Sequence, residues 1–245
     1  MVESGPSRKG RAWPRSSKDL GRRIVDTAIE LAEEVGWSGV RLREVAARLG
    51  ISLAELQDHY RDLDGVADAW FARAWHAMLG PPPKDFASLP AEARLHVLLM
   101  RWFDALASHR EVTDQMLREK LYASHPHHWA PMIFNLSRTI HWLRDAALLD
   151  AGGRRRQVEE IGLTALFLAT LAVWQRDESP DQARTRAFLR RRLAAADRAM
   201  VLLWGAAPPP AEASGRSDQQ NSVTTISTVK VPIRKTSKLG ASNDQ

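Results

Sequence analysis

Apolar residues recur at intervals of three and four along most of this sequence, which is the spacing of amphipathic helices. In the first such segment Ile24, Ala28 and Leu31 fall on one face, and Gly36 follows as a helix terminator. The alternation of apolar and polar residues that indicates strands is hard to find. We therefore expect an all-α chain of about nine helices. Their predicted bounds are 20–35, 40–49, 52–60, 62–74, 91–108, 111–123, 129–149, 154–176 and 181–204.

Breaks in this pattern divide the chain into four predicted regions. Residues 80–90, GPPPKDFASLP, end the fourth helix because consecutive prolines cannot continue it. Residues 207–245 are rich in Ala, Pro, Ser, Thr, Asn and Gln, and have too little apolar area to fold. The expected organisation is a basic disordered arm (1–19), a three-helix helix-turn-helix head (20–79), a helical body (90–206) and a disordered tail (207–245).

Residues 40–65, VRLREVAARLGISLAELQDHYRDLDG, have the spacing of a helix-turn-helix. Gly50 suits the tight turn, where φ can be positive, and the Ser52 hydroxyl can cap the next helix. In such a motif that next helix lies in the major groove of DNA. From Ser52 to Asp68, however, the sequence has five acids and only one base, Arg61. The predicted reading element therefore has the wrong charge for a polyanion.

Positive charge is concentrated elsewhere near this motif. Residues 1–23 hold seven bases against Glu3 and Asp19, a net +5, and the whole chain has a net charge of +6. A flexible basic arm can enter a minor groove, and a solvated leader is the alternative that stays open. Arg41 and Arg43, at the start of the second helix, can hold a phosphate with help from the helix dipole. The bases of the predicted arm are Arg8, Lys9, Arg11, Arg15, Lys18, Arg22 and Arg23.

Motifs for catalysis or cofactor binding are missing from the sequence. It contains no Walker loop, GxSxG elbow, dinucleotide glycine fingerprint or HExxH helix, and no cysteine. The HPHH cluster at 125–128 includes Pro126 and has no adjacent carboxylate, so we expect neither a metal site nor a cofactor. The N-terminus lacks a secretory signal, and the apolar run at 161–174 is shorter than the about 20 residues that cross a bilayer. We expect a cytoplasmic protein that is not an enzyme.

The chain has nine tryptophans, many of them within helical patterns. Core packing is the first interpretation, and a pocket for a hydrophobic small molecule between the helices of the body is the second. The candidates for lining such a pocket are Trp102, Phe103, Trp129, Phe134, Trp142, Phe167 and Trp174.

The last two predicted helices differ in character. Residues 158–174 are apolar nearly all round, which indicates a helix covered on several sides. Residues 181–204 combine one apolar stripe with arginines on the other faces. Such a pair can form half of a symmetric four-helix interface in a homodimer. Packing within one subunit, and attachment of the Arg-rich helix to an anionic membrane, are the alternatives.

Residues 21–60, GRRIVDTAIELAEEVGWSGVRLREVAARLGISLAELQDHY, resemble the N-terminal domain of tetracycline-repressor (TetR) type regulators. The resemblance implies an all-helical homodimer with a three-helix head that binds double-stranded DNA and a variable ligand-binding body. It depends on Ala28, Leu31, Gly36, Val40, Arg43, Val45, Ala46, Gly50, Ser52, Leu56, His59 and Tyr60. The implied DNA-binding residues are Arg41, Arg43, Ser52, Leu53, Ala54, Glu55, Gln57, His59 and Tyr60.

The chain departs from the family's pattern in the second helix of the motif and just after it. Leu53, Gln57 and Leu63 stand where the family usually has a basic or small polar residue, an aromatic residue and a lysine. Three of the usual contacts to the DNA backbone are thereby weakened. Glu55 and Asp58 would oppose the counterion release that dominates affinity, although Glu55 could instead accept from a cytosine amino group.

Residues 168–193, LATLAVWQRDESPDQARTRAFLRRRL, resemble the C-terminal segment of ubiquinone-biosynthesis accessory proteins. Those proteins share the TetR-like fold but bind isoprenoid lipid and a partner hydroxylase. We interpret the chain as a TetR-like transcriptional regulator, with a non-catalytic lipid-binding accessory protein that has a vestigial helix-turn-helix as the alternative. The matching residues are Trp174, Asp177, Ser179, Asp181, Thr185, Phe188, Leu189 and Arg191.

Overall fold

The computed structural model describes residues 17–120 and 129–205. Within these ranges the chain contains α-helices and no strand, so the predicted fold class is confirmed. Short 3₁₀ turns link several of the helices, for example at Trp37–Gly39 and Pro180–Gln182. The helices are α1 (Ser17–Val35), α2 (Leu42–Leu49), α3 (Leu53–Gln57), α4 (Leu63–Met78), α5 (Ala91–Leu106), α6 (Arg110–Lys120), α7 (Trp129–Ala146), α8 (Gly153–Trp174) and α9 (Ala183–Trp204).

Helix α1 begins at Ser17, three residues earlier than its apolar pattern predicts. Asp19 in its first turn complements the helix dipole, which favours the earlier start. Lys18, Arg22 and Arg23 therefore lie on a helix, and the prediction that placed them in a flexible arm is corrected. The remainder of the predicted arm, residues 1–16, and the predicted tail lie outside the described residues.

The turn between α2 and α3 is built as the sequence predicts. Gly50 adopts a left-handed conformation with φ 66°, which an L side chain would strain. Helix α3 is only five residues long, however, and ends before the predicted 52–60 segment does. The chain turns at His59 and Tyr60, and Asp62 then starts α4 by accepting a hydrogen bond from the N–H of Gly65 at 2.8 Å.

The helices share one continuous cluster of buried apolar residues that extends from Leu20 in α1 to Leu193 in α9. Helix α5 packs against α4 and α9, and α8 packs against α7 and α9. The close packing of α4 on α5 crosses the segment at 80–90, and all described residues belong to one compact unit. The division into a head and a body stays a prediction.

Helix α8 is 22 residues long and, among the described helices, is the one that is long and apolar enough to cross a membrane. The apolar run at 161–174 is shorter, but α8 continues back to Gly153 and passes this criterion as a whole. A core helix passes the same criterion, and Leu163, Phe167 and Trp174 of α8 are indeed buried inside the protein. Leu166 and Leu171 are partly buried against the same core, whereas Val158, Ile161 and Leu168 of α8 are exposed, which bears on assembly.

Candidate nucleic-acid interface

The helix-turn-helix consists of α2, the turn at Gly50 and α3, packed on α1. Val45 and Ala46 of α2 and Leu56 of α3 are buried beneath the motif. Just beyond α3, the Tyr60 hydroxyl donates a hydrogen bond to the carbonyl of Gly21 in α1 at 3.1 Å. These contacts fix the orientation of α3 and leave its opposite face uncovered.

A reciprocal capping box holds the start of α3. The backbone N–H of Glu55 donates to Ser52 Oγ at 3.1 Å. In return, the N–H and the hydroxyl of Ser52 both donate to Glu55 Oε2, each at 2.8 Å. Capping of this kind satisfies backbone N–H groups that the helix itself leaves unpaired. Glu55 is therefore engaged in holding the helix, whereas the sequence suggested that it could read a cytosine.

Most of the acids between Ser52 and Asp68 have partners within the protein. Asp62 caps α4, and the N–H of Gly65 holds the pKa of its carboxyl below the ordinary value. Lys120 Nζ of α6 lies 2.9 Å from Asp68 Oδ1 and 3.9 Å from Asp64 Oδ1. Asp58 alone of the five has no side-chain partner in the described part of the chain. Most of the acidic side chains in this segment are thus engaged in contacts within the protein.

The predicted phosphate-binding arginines lie where α2 begins. Arg43 is well exposed, and its Nη2 is 3.3 Å from Glu44 Oε1. Arg41 Nη1 donates to the carbonyls of Ser38 at 2.8 Å and Val40 at 3.0 Å, which orients the side chain at the helix start. The predictions for Arg8, Lys9, Arg11, Arg15 and the side chain of Lys18 lie outside the described residues.

The uncovered face of α3 brings together part of the predicted set. Leu53 is 55% exposed, and Ala54 and Gln57 are also exposed. Because residues four apart lie on one face of a helix, Leu53 and Gln57 point the same way. His59 and Tyr60 are half-buried behind α3, with ring centroids 6.5 Å apart. Tyr60 packs against the core, and the predicted contacts of His59 and Tyr60 with DNA stay predictions.

The aromatic candidates for a ligand pocket divide into two groups. Trp102 and Phe103 of α5 and Phe167 of α8 are buried against one another, with ring centroids 5.0 to 5.9 Å apart. Trp174 joins them through Phe103. Trp75 of α4, which the sequence did not single out for the pocket, packs on Trp102 at 5.3 Å. These five rings are called the aromatic cluster below.

The other candidates do not join the aromatic cluster. Trp142 is 55% exposed on α7. The side chains of Trp129 and Phe134 lie outside the part that the structure describes. Two open depressions of about 460 and 390 Å³ are lined mainly by polar and charged residues, the first by His141, Arg144 and Arg156 among others. Within the described ranges, no group of three His, Asp or Glu side chains is placed to hold a metal, and the HPHH segment lies outside those ranges.

Hydrogen bonds to the buried carboxylate of Asp177 stabilise the α8–α9 connection. Ser179 Oγ and N donate to Oδ1, and Thr185 N and Oγ1 donate to Oδ2 at 2.7 and 2.5 Å. Burial raises the pKa of Asp177, but these hydrogen bonds outweigh it and lower the pKa to about 2. Gln182, at a left-handed φ of 56°, accepts from Trp174 Nε1 at 2.7 Å and donates to Asp104 at 2.8 Å.

The outer side of this hairpin is apolar and uncovered. Ile161 of α8 is 71% exposed, and Leu202 at the end of α9 is 87% exposed. On α8 the exposed residues recur at spacings of three and four, so they form one stripe. The stripe consists of Val158, Ile161, Ala165, Leu168 and Ala172.

Comparison with known proteins identifies the family. The crystal structure of the TetR transcriptional regulator from Nitrosomonas europaea ATCC 19718 is 43% identical in sequence to this chain, with a TM-score of 0.65. The match covers 72% of this chain and 97% of that one. The chain belongs to the TetR family of transcriptional regulators. Its relatives in this family are regulators and not enzymes, so the expectation of a non-enzymatic protein is confirmed.

Two further similarities are more local. An uncharacterised helix-turn-helix transcriptional regulator of Xanthobacter autotrophicus is 35% identical over 81 residues, which is 31% of this chain and 40% of the length of that relative. The COQ9 family model matches residues 160–200 of this TetR-family chain. That stretch contains the α8–α9 connection. Of the residues of the second resemblance, Ser179 and Thr185 donate to Asp177 there, and Trp174 donates to Gln182.

Proposed function

We propose that this TetR-family regulator binds double-stranded DNA by placing α3 in the major groove. The observation that supports this most directly is the uncovered face of α3, held in a fixed orientation by the buried Leu56 and by the Ser52–Glu55 capping box. In a helix-turn-helix the second helix contacts base edges with residues near its N-terminus, while other groups hold the phosphates. Leu53, Ala54 and Gln57 are the exposed residues in that position.

The phosphate contacts of the proposal come from bases that flank α3. Arg41 and Arg43 lie at the start of α2, and Arg22 and Arg23 are exposed on α1. Residues 1–16 add Arg8, Lys9, Arg11 and Arg15. Because Asp62, Asp64 and Asp68 are already paired within the protein, they oppose these contacts less than the bare sequence suggests.

Fluorescence anisotropy of labelled duplexes at two salt concentrations tests the proposal. The full-length protein should bind random duplexes more tightly than about 10⁻⁴ M at low salt and selected duplexes more tightly still. Arg43→Ala should weaken binding to all duplexes nearly equally and reduce the slope of log affinity against log salt by about one unit for each subunit that contacts the duplex. Replacing Arg8, Lys9, Arg11 and Arg15 together by alanine should reduce that slope further.

Arg154→Ala provides the matched control, because Arg154 is an exposed arginine at the start of α8, far along the chain from the helix-turn-helix. Its duplex affinity should equal that of the unchanged protein. If the unchanged protein binds no duplex at low salt, the proposed function is wrong. If it binds but Arg43→Ala has no effect, α2 does not contact the phosphates.

The proposal also includes a symmetric dimer formed by α8 and α9 of two subunits. The stripe on α8 and the exposed Leu202 of α9 are large apolar surfaces that a second copy can cover. Two heads related by a twofold axis would then contact half-sites about one helical turn apart.

A lipid-binding function is the second candidate, since the COQ9 family model matches residues 160–200. The matching residues around Asp177 hold the α8–α9 connection of this chain together, so the match does not by itself require a lipid site. Membrane contact through the exposed Leu202, Leu203 and Trp204 of α9 belongs with this candidate. Mass spectrometry of compounds that copurify with the protein tests it, because isoprenoid lipid in stoichiometric amount would support this function, although it would not exclude the binding of DNA.

The same measurement addresses a ligand of the regulator. Trp102 Nε1 is buried in the aromatic cluster and has no hydrogen-bond acceptor among the described residues. A mainly apolar molecule with one acceptor atom would satisfy this donor, so the proposal assigns the ligand to that class. In a regulator, such binding would be coupled to the affinity for DNA.

A further inference from the structure

Leu53 is an unusual residue for its position, because it is a large apolar side chain on the uncovered face of α3. It is 55% exposed, whereas Leu56, three residues later, is 1% exposed. Leu53 is the first residue of α3 and follows directly on the Ser52 cap. In a helix-turn-helix this is a position from which side chains reach base edges.

The capping box limits which residues of α3 can read bases. Glu55 Oε2 accepts from both the N–H and the hydroxyl of Ser52, so those groups already occupy that oxygen. Asp58 comes after the last residue of α3, at its far end. The exposed groups that remain on α3 itself are the isobutyl group of Leu53, the methyl group of Ala54 and the amide of Gln57.

These groups have distinct partners in the major groove. An apolar side chain can contact the 5-methyl group of thymine, which is the only apolar feature that a base pair presents there. A glutamine amide can pair with N6 and N7 of adenine through two hydrogen bonds. Neither side chain matches the two acceptors of guanine as an arginine would.

We propose that α3 reads A·T pairs, with Leu53 against a thymine methyl group and Gln57 against an adenine. This inference depends on the proposed DNA-binding function and specifies its target. Residues four apart in a helix are separated by about 6 Å along the axis, and base pairs are about 3.4 Å apart. The two base pairs therefore lie one or two steps apart in each half-site.

The experiment uses the full-length protein and the duplex that it binds most tightly from a random library. Each thymine of one half-site is replaced in turn by deoxyuridine, which lacks only the methyl group. At one position the unchanged protein should lose about fourfold in affinity, the value of burying one methyl group. Leu53→Ala should show no difference between thymine and uracil at that position.

A parallel series replaces adenine by 7-deazaadenine, which lacks the N7 acceptor. The unchanged protein should lose about tenfold at one position, and Gln57→Ala should lose nothing there. Val35→Ala is the matched control, because Val35 is an equally exposed apolar residue (51%) on α1 outside the helix-turn-helix. It should discriminate thymine from uracil as the unchanged protein does.

The outcomes separate this inference from the function on which it depends. Uracil substitutions that affect the unchanged protein and Leu53→Ala equally, or affect neither, overturn the assignment of Leu53 while the binding of DNA stands. Equal losses of the unchanged protein and Gln57→Ala with 7-deazaadenine overturn the assignment of Gln57 in the same way. Binding without enrichment of any sequence overturns this inference alone, whereas the absence of binding to any duplex of the library at low salt overturns the proposed function and this inference together.

Discussion

A buried carboxylate normally takes up a proton, because burial penalises the charged form. Asp177 stays charged since Ser179 and Thr185 each donate hydrogen bonds to it from both backbone and side chain. Its pKa in the folded protein is about 2, below the ordinary value of 3.8. The charged form therefore stabilises the fold above about pH 4, and this contribution is lost as the pH falls towards 2.

Asp177→Asn should lower the free energy of unfolding at pH 7 by about 2 kcal/mol, because the charge-assisted hydrogen bonds are lost. The difference from the unchanged protein should shrink as the pH falls from about 4 towards 2. Urea unfolding followed by tryptophan fluorescence, at one fixed protein concentration, measures both. Asp181→Asn is the control, since Asp181 is exposed on the same turn. A difference that stays constant with pH would contradict the assigned pKa.

At the scale of the helix, α3 shows why counting charges along a sequence misjudges a surface. Five acids surround it in the sequence, but Glu55 holds the capping box and Asp62 caps α4. Asp64 and Asp68 lie near Lys120 of α6. Within the described ranges, Asp58 is the one of these five acids whose side chain has no partner in the protein, so it is the one that would repel DNA most directly.

Asp58→Asn should therefore raise the affinity for all duplexes about threefold at low salt, and the gain should shrink as salt screens the charge. The anisotropy assay described for Arg43 measures this directly. Asp145→Asn, which removes an exposed charge from α7, should leave duplex affinity unchanged. If Asp58→Asn also has no effect, the end of α3 does not approach the phosphates.

Local patterns predicted the helices well because each helix is specified by its own periodicity and caps. The turn at Gly50, the Ser52 cap and the inward position of Leu56 are examples. What local patterns could not provide were partners far apart in the chain. Lys120 is more than fifty residues from Asp68, its partner. The spacing of Trp75 in the sequence is that of any core tryptophan and does not indicate its contact with Trp102.

For the candidate site, the sequence predicted the turn and the cap of the helix-turn-helix but not the side-chain contacts within it. The sequence predicts that Glu55 faces DNA, but the capping box depends on a side-chain conformation that spacing alone does not specify. Arg22 and Arg23 were assigned to an arm because charge says nothing about where a helix starts.

At the scale of the whole molecule, burial is uneven. The aromatic cluster and the hydrogen bonds around Asp177 are buried on the inner side of the α8–α9 hairpin, whereas Ile161 and Leu168 on the outer side of α8 remain exposed. Exposed apolar stripes of this size usually mark a contact with another molecule. A stripe on one helix beside a second helix suits a twofold interface, in which each surface meets its own copy.

Ile161→Glu should convert the proposed dimer of twice 27.4 kDa into a monomer of 27.4 kDa, as measured by light scattering. Twofold symmetry would bury two unpaired carboxylates in every dimer, so the dissociation constant of the dimer should rise by about a hundredfold or more. Val35→Glu places the same charge at a similarly exposed apolar residue of α1 and should leave the mass unchanged. Because a monomer presents one head, Ile161→Glu should also halve the slope of log affinity against log salt. An unchanged mass for Ile161→Glu would show that α8 does not form the interface.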